Sequence, residues 1–198
     1  MRKNNDRMFV FSKPYGTLKR GPQVILPKDI GAILGYTAIG KESICVDAGT
    51  GSGWLAVALG RVSKQVYSYD IRSDFSKIAL KNIETAGLNN VTLKIKDITK
   101  KIDERDVDLV TLDMPSAERA VNSAKQALKQ EGQIVGYLPH MEQVRKFVAK
   151  LERLGFTDIF TIEVIIRDML VRDNGMRPST KGIWHTAYLT FATKPKTD

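Results

Sequence analysis

A run of residues, Asp47-Ala48-Gly49-Thr50-Gly51-Ser52-Gly53, stands where an apolar strand pattern gives way to a helical one. Glycines in such a turn let the backbone bend tightly and approach a ligand, and the helix start beyond them offers unsatisfied N–H groups. A nucleotide-like cofactor suits that arrangement. Gly51-x-Gly53-x-x-Ala56 meets a loose dinucleotide-binding pattern, whereas Gly49-x-Gly51-x-Gly53 with Asp47 just ahead meets that of S-adenosylmethionine (SAM) binding. Glycine spacing does not separate the two, but charge favours SAM: Asp47 would repel a pyrophosphate and suits an ammonium and a sulfonium. Asp70, followed by Ile71, closes the next strand pattern (VYSYD), where a carboxylate can accept both ribose hydroxyls. Asp97 follows the third (LKIKDIT) and can bond an adenine amino group while Ile98 packs on the ring. Asp47, Asp70 and Asp97 thus end successive strands at the edge where open α/β sheets bind ligands. Asp113, in Leu112-Asp113-Met114-Pro115, ends the fourth strand there. A carboxylate facing a bound methyl donor can take a proton or a hydrogen bond from the acceptor's amino group, with Pro115 stiffening the loop. Tyr137, before Leu138-Pro139, can stack on or bond a substrate base, although a tyrosine buried in its strand fits the same pattern.

These residues need a scaffold of alternating strands and helices, and the pattern supplies one from about residue 28. Asp29–Tyr36 reads as a helix packing Ile30, Ile33 and Leu34, Ile44–Val46 as a buried strand, Trp54–Gly60 as a helix and Val66–Tyr69 as a strand. Over 73–86, Phe75, Ile78, Ala79, Ile83 and Ala86 share one helical face, with Ser73 as cap and Asp74 at the positive end. Strands at 91–95 and 107–112, a helix near 118–129, a strand at 133–137 and a helix carrying Val144, Phe147, Val148, Leu151 and Leu154 follow, the last ended by Gly155. Short, apolar strands each followed by a helix predict a mostly parallel sheet covered on both faces. Two longer β patterns, 160–166 and 183–192, joined by a charged link over 167–182, predict an antiparallel hairpin at the sheet edge. The fold class is therefore α/β and Rossmann-like, with a seven-stranded sheet and an antiparallel C-terminal hairpin.

The chain has 198 residues, 42% hydrophobic and 27% charged, which fits one folded domain and excludes collagen-like, disulfide-rich and disordered classes. One cysteine and two histidines leave no zinc-type ligand set, so no metal is expected. No stretch approaches a membrane span, which implies a cytoplasmic protein. A formal charge of +9 favours polyanionic partners. Five of those net charges fall in residues 1–22, an arm of Arg2, Lys3, Arg7, Lys13, Lys19 and Arg20 against Asp6, ahead of a catalytic domain over 23–198.

The chain resembles the tRNA adenine-N1 methyltransferases that modify position 57 or 58 of the T loop. The resemblance is carried by Gln23-Val-Ile-Leu-Pro-Lys-Asp-Ile-Gly-Ala-Ile-Leu, by DAGTGSG at 47–53, by LDMP at 112–115, by GYLPHMEQV at 136–144, and by Arg177-Pro178 with His185-Thr-Ala-Tyr-Leu-Thr-Phe-Ala. It implies that Asp47, the 49–53 turn (Gly49, Thr50, Gly51, Ser52, Gly53), Asp70 with Ile71, Asp97 with Ile98, and Asp113 hold SAM. It also implies that Asp113 contacts the target adenine and assists catalysis with Tyr137 nearby, and that Lys28, Pro115 and Arg177 meet the tRNA. The target ring gains positive charge on methylation, which a nearby carboxylate stabilises. His185 reads as a structural hydrogen-bonder, and Leu26 stands where the family commonly has an aromatic residue or histidine near the base. The family's small N-terminal β-rich domain is expected to be mostly lacking, with the arm in its place, and a homo-oligomer, dimer or tetramer, is implied. Two other functions fit the same residues less well: a small-molecule methyltransferase of the corrin-biosynthesis type, which the positive charge opposes, and a non-catalytic RNA-binding subunit, which the intact DAGTGSG and LDMP oppose.

Overall fold

The computed structural model describes residues 15–21 and 23–196, apart from the side chains of Phe75 and Ser76. Residues 1–14 and Pro22 of the basic arm, and the Phe75 side chain expected on the third helix, lie outside that description. In chain order the elements are α1 (Pro27–Thr37), β1 (Ile44–Ala48), α2 (Trp54–Gly60), β2 (Gln65–Asp70), α3 (Ser73–Thr85), β3 (Val91–Ile95) and β4 (Val107–Leu112). A 3₁₀ turn (Ala117–Ala120), α4 (Val121–Ala127), β5 (Leu128–Leu138), α5 (Met141–Arg153), β6 (Thr157–Glu163), β7 (Met169–Arg172), β8 (Gly175–Pro178) and β9 (Tyr188–Thr193) complete it.

Seven strands form one sheet in the order β3-β2-β1-β4-β5-β9-β6. It is parallel except for β9, which runs antiparallel between β5 and β6. The expected terminal hairpin is thus present, but its return strand is sandwiched and β6 forms the edge. Strand alternation sends Cys45, Leu109 and Val135 to one face, against Ile30 and Ile33 of α1 and Leu55 and Leu59 of α2. Val46, Val110 and Ile134 go to the other, against Val121 and Ala124 of α4 and Phe147 and Leu151 of α5. Burial on both faces is why these strands read as continuous apolar runs.

Local signals explain most boundaries. Gly155 ends α5 at φ 73°, with Gly155 N–H bonded to Glu152 O and Phe156 N–H to Leu151 O, a Schellman closure. The expected Ser73 cap is one residue off: Arg72 occupies the N-cap position of α3, while Asp74 sits in its first turn. The helix expected to run to 129 stops at Ala127, because Leu128 turns extended and pairs with Val107. β5 therefore begins five residues earlier than its apolar core, passing a kink at Glu131 (φ 60°) and Gly132, where a Cβ would lie 2.8 Å from Val107 O. Within the charged 167–182 link, β7 and β8 form a separate antiparallel hairpin that the sequence reading leaves as loop.

The described part of the arm is packed on the domain. Leu18 is buried with Trp54, Val57 and Ile83, and Arg20 lies over the Trp54 ring. Asn82 of α3 receives the Lys19 N–H and donates to both Lys19 O and Ser52 O, each at 2.8 Å, tying this segment to the glycine turn. Among the described residues no helix is long and apolar enough to cross a membrane.

Candidate active site

Strands β2, β1 and β4 are neighbours running the same way, so Asp47, Asp70 and Asp113 come together at one sheet edge. Asp47 is only 1% exposed. Its two oxygens accept the hydroxyls of Ser68 at 2.7 Å and Thr111 at 3.0 Å, and the Thr50 and Ser68 hydroxyls are themselves 2.7 Å apart. Burial pushes the Asp47 carboxyl up to about 6 against those hydroxyls, with the Asp70 charge adding to the rise. Asp47 thus acts from beneath the turn, through its field and through the hydroxyls it holds.

Asp70 joins the turn to α3. One oxygen accepts the Gly51 N–H at 3.1 Å, and the other accepts the Arg72 N–H at 2.9 Å and its Nε–H at 3.3 Å. Ile71 beside it is exposed. Two glycines are required, Gly49 by space and Gly53 by space and by backbone. A Cβ on Gly49 would stand 3.1 Å from Asp113 O, and Gly53, at φ 78°, faces Ala79 of α3 at 3.2 Å. Ser52 is buried under the turn.

Asp113 is fixed by its backbone: its N–H donates to Ala48 O at 2.5 Å and its carbonyl accepts the Gly49 N–H at 3.2 Å. Its carboxyl is pushed up to about 7, first by burial and then by the charges of Asp47 and Asp70, which Arg72 partly offsets. Pro115, two residues on, is exposed. Asp97, past the end of the outer strand β3, accepts the Thr99 hydroxyl at 2.6 Å and the Thr99 N–H at 2.9 Å. Those bonds hold its carboxyl below the usual carboxylate range. Ile98, expected against a ring, is buried in the α4/α5 core.

Tyr137 ends β5 half-buried. Burial raises its phenol, and the charges of Asp29 and Asp113 raise it further, which places it in the field of the carboxylate edge. Lys28, expected on the substrate, has a side chain only 3% exposed, and its ammonium is used up internally. It donates to Asp29 Oδ1 at 2.7 Å, Val164 O at 2.6 Å and Thr186 Oγ1 at 2.7 Å. Arg177 stands exposed on β8, apart from the main sheet. Leu26 is buried at the head of α1. His185 has the structural role expected of it: Nδ1 meets Glu163 Oε1 at 2.6 Å and Nε2 meets Pro139 O at 2.8 Å.

Sequence reasoning did not single out Ser68, Thr111, Asn82, Asp29 or Thr186. A polar residue inside an otherwise apolar strand, as Ser68 in QVYSYD and Thr111 in VDLVTL, is the signal that was available.

Known proteins resemble this chain over most of its length. A tRNA (adenine(57)-N(1)/adenine(58)-N(1))-methyltransferase TrmI from Methanocaldococcus jannaschii is 42% identical over 90% of this chain and 74% of its own. Two solved structures superpose closely. A SAM-dependent O-methyltransferase from Thermotoga maritima has a TM-score of 0.87 and 32% identity, covering 93% of this chain and 71% of that one. The tRNA (m1A58) methyltransferase TrmI from Aquifex aeolicus has a TM-score of 0.85 and 27% identity, covering 91% and 73%. The sequence model of one family spans residues 16–183, from the packed end of the arm through the glycine turn and carboxylate edge to beyond the β7–β8 hairpin, and by that match the chain belongs to the family of the tRNA methyltransferase complex GCD14 subunit.

Proposed function

We propose that this chain transfers a methyl group from SAM to N1 of an adenine in the T loop of tRNA, at position 57 or 58. The observation that carries the reading is Asp113, a carboxyl raised to about 7 and bonded through its backbone to the glycine turn, within a chain of this family. The residues present fit SAM: the 49–53 turn leaves no room for side chains at 49 or 53, and Asp70, Asp97 and Asp113 form an acidic edge suited to ribose hydroxyls, an adenine amine and a cationic centre. When bound, SAM supplies an electrophilic methyl group.

Asp113 as carboxylate accepts an N–H of the target's exocyclic amine and offsets the positive charge that N1 substitution places on the ring. Tyr137 lines the same site. A groove of ≈ 390 Å³ between the 3₁₀ turn and α5, lined by Arg119, Lys146, Lys150 and Arg153 with Glu118 and Ala149, supports a phosphate backbone as partner. The exposed apolar side chains of Met169, Val171 and Met176 on β7 and β8 support self-association as a dimer or tetramer, and we place the protein in the cytoplasm. The test is incubation of the protein with labelled SAM and unmodified tRNA, followed by nucleoside mass spectrometry. N1-methyladenosine from the T loop is expected. An O-methylated product would favour the chemistry named for the Thermotoga protein, and label confined to small molecules would favour a small-molecule acceptor.

A further inference from the structure

Lys146, Lys150 and Arg153 of α5 and Arg119 of the 3₁₀ turn line one groove, with a single carboxylate, Glu118, among its walls. Spacings of four and three residues put the three helix cations on one face of α5, turned away from the Val144, Phe147 and Leu151 side chains that seat it in the core. Ala117 and Ala120 are buried in that same core, which holds the 3₁₀ turn against α5 and leaves Arg119 exposed.

These four charges are not used within the fold. Other basic side chains are tied internally: Lys28 pairs with Asp29, Lys129 with Asp108, and Lys125 of α4 donates to Leu154 O at 2.6 Å, beside the end of α5. Among the described residues, none of the four groove cations forms an ion pair. Attraction to the helix C-terminus accounts for Lys150 and Arg153 in the last turn, but not for Lys146 or for Arg119, which comes from another element. Like charges held together repel, and a polyanion relieves that repulsion. The one uncharged lining residue is Ala149, so the groove lacks the apolar anchor on which binding of a protein partner centres, while its point charges suit phosphates.

The groove begins near the carboxylate edge. Only Met114, Pro115 and Ser116 separate Asp113 from the 3₁₀ turn, and α5 starts just past the end of β5 at that edge. At a rise of about 1.5 Å per residue from Met141, Lys146, Lys150 and Arg153 stand about 8, 14 and 18 Å along the helix.

We infer that this groove docks the phosphate backbone of the RNA beside the target nucleotide, with the strand running from the Asp113 loop along α5. The inference rests on the proposed tRNA reading and deepens it, since none of the four cations is among the residues that the sequence places on the substrate.

The test measures the dissociation constant of the whole protein for unmodified tRNA by filter binding, from about 50 to 200 mM salt. Lys146→Gln with Lys150→Gln is compared with Lys41→Gln with Lys64→Gln, which removes the same charge from exposed positions ahead of β1 and β2. Ala149→Glu adds a carboxylate to the groove without touching its cations. The groove pair is expected to weaken tRNA binding about ten-fold and to flatten the slope of log affinity against log salt by about 1.5, and Ala149→Glu to weaken binding several-fold. The control pair should stay within about two-fold of wild type, and SAM affinity by calorimetry should hold in every variant. Equal losses in the groove and control pairs, an unchanged salt slope in the groove pair, or SAM affinity falling in step with tRNA affinity would overturn the inference. A wild-type protein that binds tRNA but forms no N1-methyladenosine would instead overturn the underlying reading.

Discussion

Gly49 and Asp113 are bonded through their backbones: the Gly49 N–H donates to the Asp113 carbonyl at 3.2 Å, and the same oxygen lies 3.1 Å from where a Gly49 Cβ would sit. The cofactor turn and the proposed catalytic carboxylate are therefore one mechanical unit. Gly49→Ala must push the two apart. It is expected to weaken SAM binding about ten-fold, or ~1.4 kcal/mol, and to lower kcat as well. Calorimetry with steady-state rates checks this, and a loss in affinity alone would show that the two are not coupled.

The pH profile of transfer follows from Asp113. With its carboxyl raised to about 7, the group is protonated below that value and loses the negative charge that offsets the developing cation. The rate at saturating substrates should climb with pH and level off above about 7. A bound cation shifts the limb toward lower pH, so the profile of kcat should lie below that of kcat/KM for SAM. A flat profile between pH 5 and about 8 would remove Asp113 from this role.

Asp47 makes a stability prediction of opposite sign to the usual carboxylate. Its folded value of about 6 exceeds the ordinary 3.8, so between those values the folded protein holds a proton the unfolded chain has released. Stability therefore falls as pH rises through that window. Asp47→Asn should flatten the fall and raise the apo-protein melting temperature at neutral pH by about 2–4 °C for each kcal/mol recovered. Parallel melting curves for the two proteins would contradict it.

The Lys28–Asp29 pair is buried on both sides. Asp29→Leu alone strands an ammonium and should cost about 3–5 kcal/mol, whereas Lys28→Met with Asp29→Leu should recover much of that loss. Denaturant unfolding of the single and double variants measures it, and equal losses would mean the pair carries no mutual stabilisation.

Asn82 joins the segment before α1 to the Ser52 carbonyl. Asn82→Ala should raise the SAM dissociation constant about ten-fold and open the 15–21 stretch to limited proteolysis, because a buried carbonyl and an amide lose their partners. Proteolysis unchanged from wild type would show that Trp54 and Leu18 hold the segment without it.

What was legible in the sequence follows burial. The sequence pattern gives Val107–Leu112 and Trp54–Gly60 to the residue, because every position but Asp108 is buried and little else competes. The sequence pattern carries a helix over 118–129 past its observed end: Ala127-Leu-Lys-Gln has high helix propensity, but Leu128 is claimed by Val107 across the sheet, a tertiary pairing no local pattern carries. Charges that interrupt alternation hide β7 and β8, joined by the two-residue turn Asp173-Asn174. At the candidate site, Asp70 and Asp113 stand out in the sequence as carboxylates at strand ends, and the structure brings them to one sheet edge. Thr186 does not stand out, since a threonine before a strand is ordinary until Lys28, from the other end of the chain, is seen bonded to it.

The central claim is that Asp113 assists transfer to adenine N1 without being needed to hold the cofactor in place. Its most direct test is the yield of N1-methyladenosine in unmodified tRNA for wild type and Asp113→Ala under single-turnover conditions, with SAM affinity measured on the same preparations. The account predicts a fall in the transfer rate of about a hundred-fold or more, with SAM affinity changed far less. Undiminished N1-methyladenosine in Asp113→Ala, or a loss explained wholly by failure to bind SAM, would contradict it.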